Sequence, residues 1–185
     1  LLTVHHTGGV SLDIPLWDRF YFGFATDRSI AQATLITSIS ENTRRDLIRD
    51  YRVAPERVRT VYYGGASPLF HPRANGEDLS RFGITAPYYL FVSAINVRKN
   101  LLVLARAFAR LKELKPGPRQ LVFVGYHEPV YSRALHAELS RLGLLGDAVF
   151  LKSVETDDLR PIYQQAEAMV YPSLLEGFGL PLIEA

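Results

Sequence analysis

The chain has 185 residues, 48% of them apolar and 22% charged, with ten Phe and ten Tyr, a composition that builds a buried core and excludes disorder as the main state. Twenty-one Lys and Arg against nineteen Asp and Glu leave a net charge of +2, too small a surplus to argue for nucleic acid or an anionic membrane, so any basic site must be local. With no Cys in the sequence, disulfide scaffolds, zinc–thiolate sites, iron–sulfur clusters and thiol nucleophiles are excluded, and a reducing compartment fits.

In chain order, residues 1–4 read as a buried strand followed by His5-His6, an adjacent pair poorly placed to share one metal ion. Trp17, Phe20, Tyr21, Phe22 and Phe24 form an aromatic stretch that holds the only Trp; core packing is the simpler account of it. A strand at 34–38 precedes a helix over 41–51, opened by Ser40 as N-cap and carrying Leu47, Ile48 and Tyr51 on its apolar face. After a strand at 58–63, the segment 64–87 is dense in turn formers and reads as the crossing between two domains. Beyond it come strands at 88–94, 120–125, 148–152 and 168–171. Helices are expected between them: 101–115 capped by Asn100, 130–143, and 156–166 opened by Thr156 with Asp157 and Asp158 in its first turn. Leu180 to Ala185 read as the first turn of another helix. A single turn does not stand alone, so the chain is expected to be a fragment cut inside an element. No apolar run approaches the roughly 18–20 residues that span a bilayer, and the N-terminus lacks the basic lead of a signal peptide.

Short β-branched and aromatic runs alternating with helical patterns predict an α/β fold with largely parallel sheets. Ligands of such sheets collect beyond the carboxyl ends of the strands. After 88–94, Arg98 and Lys99 stand directly before a helix N-terminus, where cationic side chains and unpaired N–H groups together suit a diphosphate. The plainer reading is a solvated pair on a loop. After 168–171, Gly177 and Gly179 flank Phe178 in a bend that lets backbone pass close to a ligand, with Glu176 at its start and Glu184 a turn into the helix. A structural strand-to-helix turn is the plainer account of the bend, and two carboxylates also admit a glycoside hydrolase, with one acid and one nucleophile. His71, His127 and His136 have no neighbours in sequence that give them a role.

Taken whole, the run from Glu176 through Gly177-Phe178-Gly179-Leu180-Pro181 to Glu184 resembles the signature of retaining GT-B glycosyltransferases of the family-4 kind, with two Glu separated by seven residues. Thr37 to Leu47 is similar to part of that family's acceptor domain, Val58 to Phe70 with Pro72 to its interdomain crossing, and Val92 to Asn100 to its donor-phosphate loop. The resemblance implies two Rossmann-like domains, with 1–72 the end of the acceptor-side one plus the crossing, and 73–185 most of the donor-binding one. It implies transfer of a sugar from a nucleotide-sugar donor, GDP-mannose first, to a saccharide or lipid-linked acceptor with retention, in polysaccharide or lipopolysaccharide synthesis. Neither metal nor cofactor is implied, and no nucleic acid; the setting is cytoplasmic, with peripheral contact to the inner face of a membrane through the aromatic stretch as one option.

By the same resemblance, Arg98 and Lys99 hold the diphosphate and stabilise the leaving nucleotide. Glu176 binds hydroxyls of the transferred sugar; Phe178, Gly179 and Leu180 meet sugar or phosphate through backbone N–H groups; Glu184 holds the ribose. His5 or His6 stands where the family often has a His near the sugar, and a polar turn is the other reading. Ser93-Ala94-Ile95 lacks the Arg many relatives carry there, which puts one phosphate contact in question, and Lys152 replaces a usual glycine near the base pocket. The family's opening glycine-rich loop and returning helices have no counterpart, so the 185-residue piece is expected to be inactive by itself. A non-catalytic module that binds a nucleotide or phosphate ligand is the alternative.

Overall fold

The alternation of strand and helix resolves into two parallel sheets in a computed structural model that describes residues 1–5, 16–65 and 76–185. The expected domain boundary at 72/73, His6 and His71 lie outside the described residues, as do the side chains of Trp17, Phe20, Tyr21 and Phe22. The chain divides into two units, Leu1–Gly65 with Leu175–Gly179, and Ala66–Leu174 with Leu180–Ala185.

In the first unit β1 (Leu2–Val4), β2 (Ile36–Ser38) and β3 (Val58–Thr60) pair in parallel in that order. Between them run α1 (Leu16–Gln32) and α2 (Glu41–Asp50). The α2 N-terminus forms as the sequence predicts: Ser40 is extended, and its hydroxyl accepts the Thr43 N–H at 3.1 Å. That cap turns Leu47 inward, where it is buried with Ile30, Ile36, Val53 and Val58. The aromatic stretch belongs to α1, a helix absent from the sequence reading.

In the second unit β4 (Tyr88–Val92), β5 (Gln120–Val124), β6 (Ala148–Leu151) and β7 (Ala168–Met169) form one parallel sheet in the order β6-β5-β4-β7. The helices are α3 (Leu101–Leu114), α4 (Pro129–Arg141), α5 (Thr156–Gln164) and α6 (Leu180–Glu184). Because successive strand side chains point to opposite faces, the apolar runs of β4 and β5 supply two cores at once. Phe91, Leu121 and Phe123 are buried with Leu104 and Phe108 of α3 and Leu135 and Leu139 of α4. Leu90, Val122 and Val124 are buried with Ile162 and Tyr163 of α5.

One helix start differs from expectation. Asn100 precedes α3 but does not cap it: its backbone is left-handed at φ 57°, and its amide donates elsewhere. α5 opens at Thr156 with Asp157 and Asp158 in its first turn, as expected, and no side chain caps it. α4 is capped by the Glu128 carboxylate, which accepts from the Val130 and Tyr131 N–H groups at 2.9 and 3.1 Å, a negative group at the positive end of the helix.

Candidate functional site

The chain lays down β4, β5 and β6 in one direction across the second sheet, then places β7 on the other side of β4. This reversal is a switch point, where loops diverge from the carboxyl edge and leave room for a ligand. The register of β4 with β7, Tyr89 against Ala168 and Leu90 against Met169, sends the loops that follow both strands out of the same edge. They are joined by main chain: Leu174 N–H donates to the Arg98 carbonyl at 2.8 Å. The Asn100 side-chain amide donates to the Pro172 carbonyl at 3.3 Å.

Val97–Lys99 form one tight 3-10 turn, closed by the left-handed Asn100 directly before α3. Arg98 is half-buried, whereas Lys99 is only 4% exposed. Its ammonium donates to the Tyr171 hydroxyl at 2.8 Å and stands 4.8 Å from the centre of the same ring. The Tyr171 ring is stacked on Phe91, with centroids 5.5 Å apart at 22°. Burying an ammonium is costly unless hydrogen bonds or π-faces replace its water, and Tyr171 supplies both. The reading of Arg98 and Lys99 as a solvated loop pair is therefore overturned for Lys99. Asn96 Oδ1 and Ser173 Oγ, one in each loop, are buried without a hydrogen bond among the described residues, so each lacks the partner a buried polar atom normally has.

Glu184 ends α6, and its Oε2 accepts from the Tyr163 hydroxyl at 2.9 Å. Tyr163 is 8% exposed, and burial first, then the Glu184 carboxylate, push its phenol far above the ordinary tyrosine range. Gly179, with φ 83°, makes the left-handed turn into α6 that a side chain would strain.

In the first unit the glycine bend meets the end of β1. A Cβ placed on Gly177 would lie 2.0 Å from the His5 carbonyl oxygen and 2.9 Å from Ile39 Cδ1, so only glycine admits this approach. Phe178 sits 5.5 Å from Tyr63, edge to face at 78°, and 6.3 Å from Tyr62. His5 Nδ1 and the Tyr63 hydroxyl are 2.6 Å apart. Thus His5, Gly177 and Phe178 come together in one unit, while Lys99 and the Arg98 main chain meet the β7 loop, and Glu184 meets Tyr163, in the other. Glu176 follows Leu174 by two residues and groups with the first unit.

Sequence reasoning missed Tyr171, Tyr163, Tyr62 and Tyr63. A signal existed for two of them: a Tyr on an apolar strand or helix face carries a hydroxyl into the core, and that hydroxyl needs a partner. Among the described residues no three His, Asp or Glu side chains gather as a metal site requires. A cavity of about 710 Å³ lies at the amino end of β4, lined by Glu77, Asp78, Thr85, Gln165 and Glu167 among others, away from the Arg98-Lys99 turn.

A family model described as "Glycosyl transferases group 1" matches residues 79–185. The chain is 26% identical over its whole length to the O-antigen chain mannosyltransferase RfbU of Salmonella typhimurium, of which it covers 48%. It is 32% identical, over 86% of its length, to the D-inositol 3-phosphate glycosyltransferase of Thermobifida fusca, of which it covers 38%. The chain thus spans half or less of the length of these curated relatives. The crystal structure of HepE from Anabaena in complex with UDP and glucose superposes with a TM-score of 0.80 over 100% of this chain and 50% of that one, at 19% identity. The α/β fold with parallel sheets is therefore that of GT-B glycosyltransferases.

Proposed function

From the premise that this chain belongs to the glycosyl transferases group 1 family, we propose that the whole protein transfers a sugar from a nucleotide-sugar donor to a saccharide or lipid-linked acceptor with retention of configuration. GDP-mannose is the first donor to test, because RfbU is named as a mannosyltransferase; UDP-glucose is the second, because HepE was solved with UDP and glucose. The observation that carries the reading is the switch point. A buried lysine and a half-buried arginine occupy a turn at a sheet's carboxyl edge, hydrogen-bonded to the loop that leads into the Glu176–Glu184 run.

On this reading the diphosphate lies against the Arg98-Lys99 turn and the α3 N-terminus. As the bond from anomeric carbon to phosphate oxygen breaks, negative charge grows on the diphosphate and positive charge on the sugar ring. Arg98 and Lys99 oppose the first; preorganised charge of this kind is worth about 10²–10³ in rate per donor group. The acceptor hydroxyl attacks on the face the nucleotide leaves, and its proton passes to the departing phosphate. Glu176 orients hydroxyls of the transferred sugar, Phe178, Gly179 and Leu180 offer backbone N–H groups, Glu184 takes the ribose, and His5 stands near the sugar. No metal enters the scheme. No described helix is long and apolar enough to cross a membrane. The proposal places the protein in the cytoplasm, touching the membrane peripherally where a lipid-linked acceptor is presented; Phe24 on α1, 67% exposed, is one aromatic open to such contact.

The test is transfer by the whole protein from a panel of GDP- and UDP-sugars, with the anomeric configuration of the product read by NMR. Arg98→Ala combined with Lys99→Ala is expected to abolish turnover. Retained transfer by that variant refutes the site, and an inverted product refutes the mechanism.

A further inference from the structure

A tyrosine packed in a core brings a hydroxyl that must find a partner, and the choice of partner says what the residue is for. Three of the buried or half-buried phenols of the second unit differ in that choice. Tyr88 donates to the Ile162 carbonyl at 2.7 Å, tying β4 to α5 through main chain. Tyr163 instead donates to the Glu184 carboxylate, and Tyr171 accepts from the Lys99 ammonium. Both of those partners are ionic, and each belongs to a segment that follows a strand of the sheet, Lys99 after β4 and Glu184 after β7.

Neither ionic group sits on a rigid side chain of its own. Glu184 carries its carboxylate on a flexible side chain with much rotamer freedom to lose. Lys99 sits on a single 3-10 turn at the end of a long, flexible side chain. The phenols, by contrast, sit on rigid supports. Tyr163 is buried with Leu90, Val122 and Ile162, and Tyr171 is stacked on Phe91, itself fully buried. Rigid second residues that lock the rotamers of reacting ones are what a precise site requires.

We infer that Tyr163 and Tyr171 are positioning residues of the donor site, Tyr163 aiming the Glu184 carboxylate and Tyr171 the Lys99 ammonium. The inference rests on the reading above, in which Glu184 meets the ribose and Lys99 the diphosphate. It adds a kinetic asymmetry. Ribose contacts are made equally in ground and transition states, so a loosened Glu184 weakens donor binding; Lys99 faces charge that develops only as the nucleotide leaves, so its loosening slows turnover.

The experiment uses the whole protein and the donor found active in the panel. Tyr163→Phe is expected to raise donor KM about tenfold with kcat within about twofold, the size of one lost hydrogen bond to a charged group. Tyr171→Phe is expected to lower kcat about tenfold and to change donor KM by less than about threefold. Tyr88→Phe, which loses a buried hydrogen bond to main chain, is expected to lower the melting temperature while leaving both constants within about twofold. In a Glu184→Ala background, Tyr163→Phe is expected to add nothing to KM. If the two Phe variants behave as Tyr88→Phe does, while Glu184→Ala and Lys99→Ala impair the enzyme, the inference is overturned and the donor-site reading stands. If Glu184→Ala and Lys99→Ala themselves leave the donor kinetics unchanged, both fall together.

Discussion

The two units end their sheets differently. In the segments that follow β4 and β7 of the four-stranded sheet, the Lys99 ammonium is buried and both Lys99 and Glu184 meet phenols that are themselves packed or stacked. Beyond the last strand of the three-stranded sheet, Val61 and Tyr62 are more than half exposed, and the Phe178 ring rests beside Tyr62 and Tyr63 rather than on a buried layer. The strands of the larger sheet carry core on both faces; among the described residues the smaller sheet has one cluster of five buried side chains. Where both faces are packed, a polar group at the edge inherits the rigidity of the layer beneath it. Where they are not, shape complementarity falls to close backbone approach, as at Gly177.

The strongest way to break this contrast is to empty the layer under Lys99. Phe91→Ala is expected to cost about 3–5 kcal/mol in denaturant unfolding, because a fully buried ring leaves a cavity, and to loosen Tyr171. In the first unit Leu47→Ala, also fully buried, is expected to cost about 2–5 kcal/mol. Gly177→Ala sharpens the contrast from the other side. Its Cβ must displace the His5 main chain, and overpacking of this kind costs about 1–3 kcal/mol. Ser40→Ala removes the α2 cap and is expected to cost about 1 kcal/mol.

The smallest effect is one of pH. Burial first, then the charges of Lys152 and His136, hold the His127 imidazole below its ordinary value. Between pH 6.5 and that lowered value the unfolded chain takes up a proton that the folded chain refuses, so stability falls as pH falls through this window. A shallow decline in melting temperature below pH 6.5, flattened in His127→Gln, is the expected result.

Much of this was legible in the sequence because parallel strands buried on both faces must be written as continuous apolar runs: Tyr88 to Val92 and Gln120 to Val124 lie within the strands expected. Ser40 was legible because an N-cap is a local device. The helix α1 carried a signal in the spacing of positions 17, 20, 21 and 24 and in Pro15 directly before Leu16, but a run this aromatic reads first as packed core. The turn at Arg98 and Lys99 was visible as cations between a strand and a helix. That Tyr171 receives Lys99 was not, because the two residues are 72 apart in the chain and meet only through the pairing of β4 with β7. Tyr163 and Glu184 meet likewise through tertiary packing, and no periodicity records it. Asn100 misled for a related reason: Asn suits an N-cap and a left-handed turn equally well, and only its partner, the Pro172 carbonyl, tells which.

The bond from Leu174 to Arg98 uses peptide groups at both ends. The seam it closes is therefore indifferent to which side chain residue 98 bears: stripping the guanidinium removes charge and leaves the stitching in place. The joint between the two loops and the charge carried beside it are thus separable by mutation.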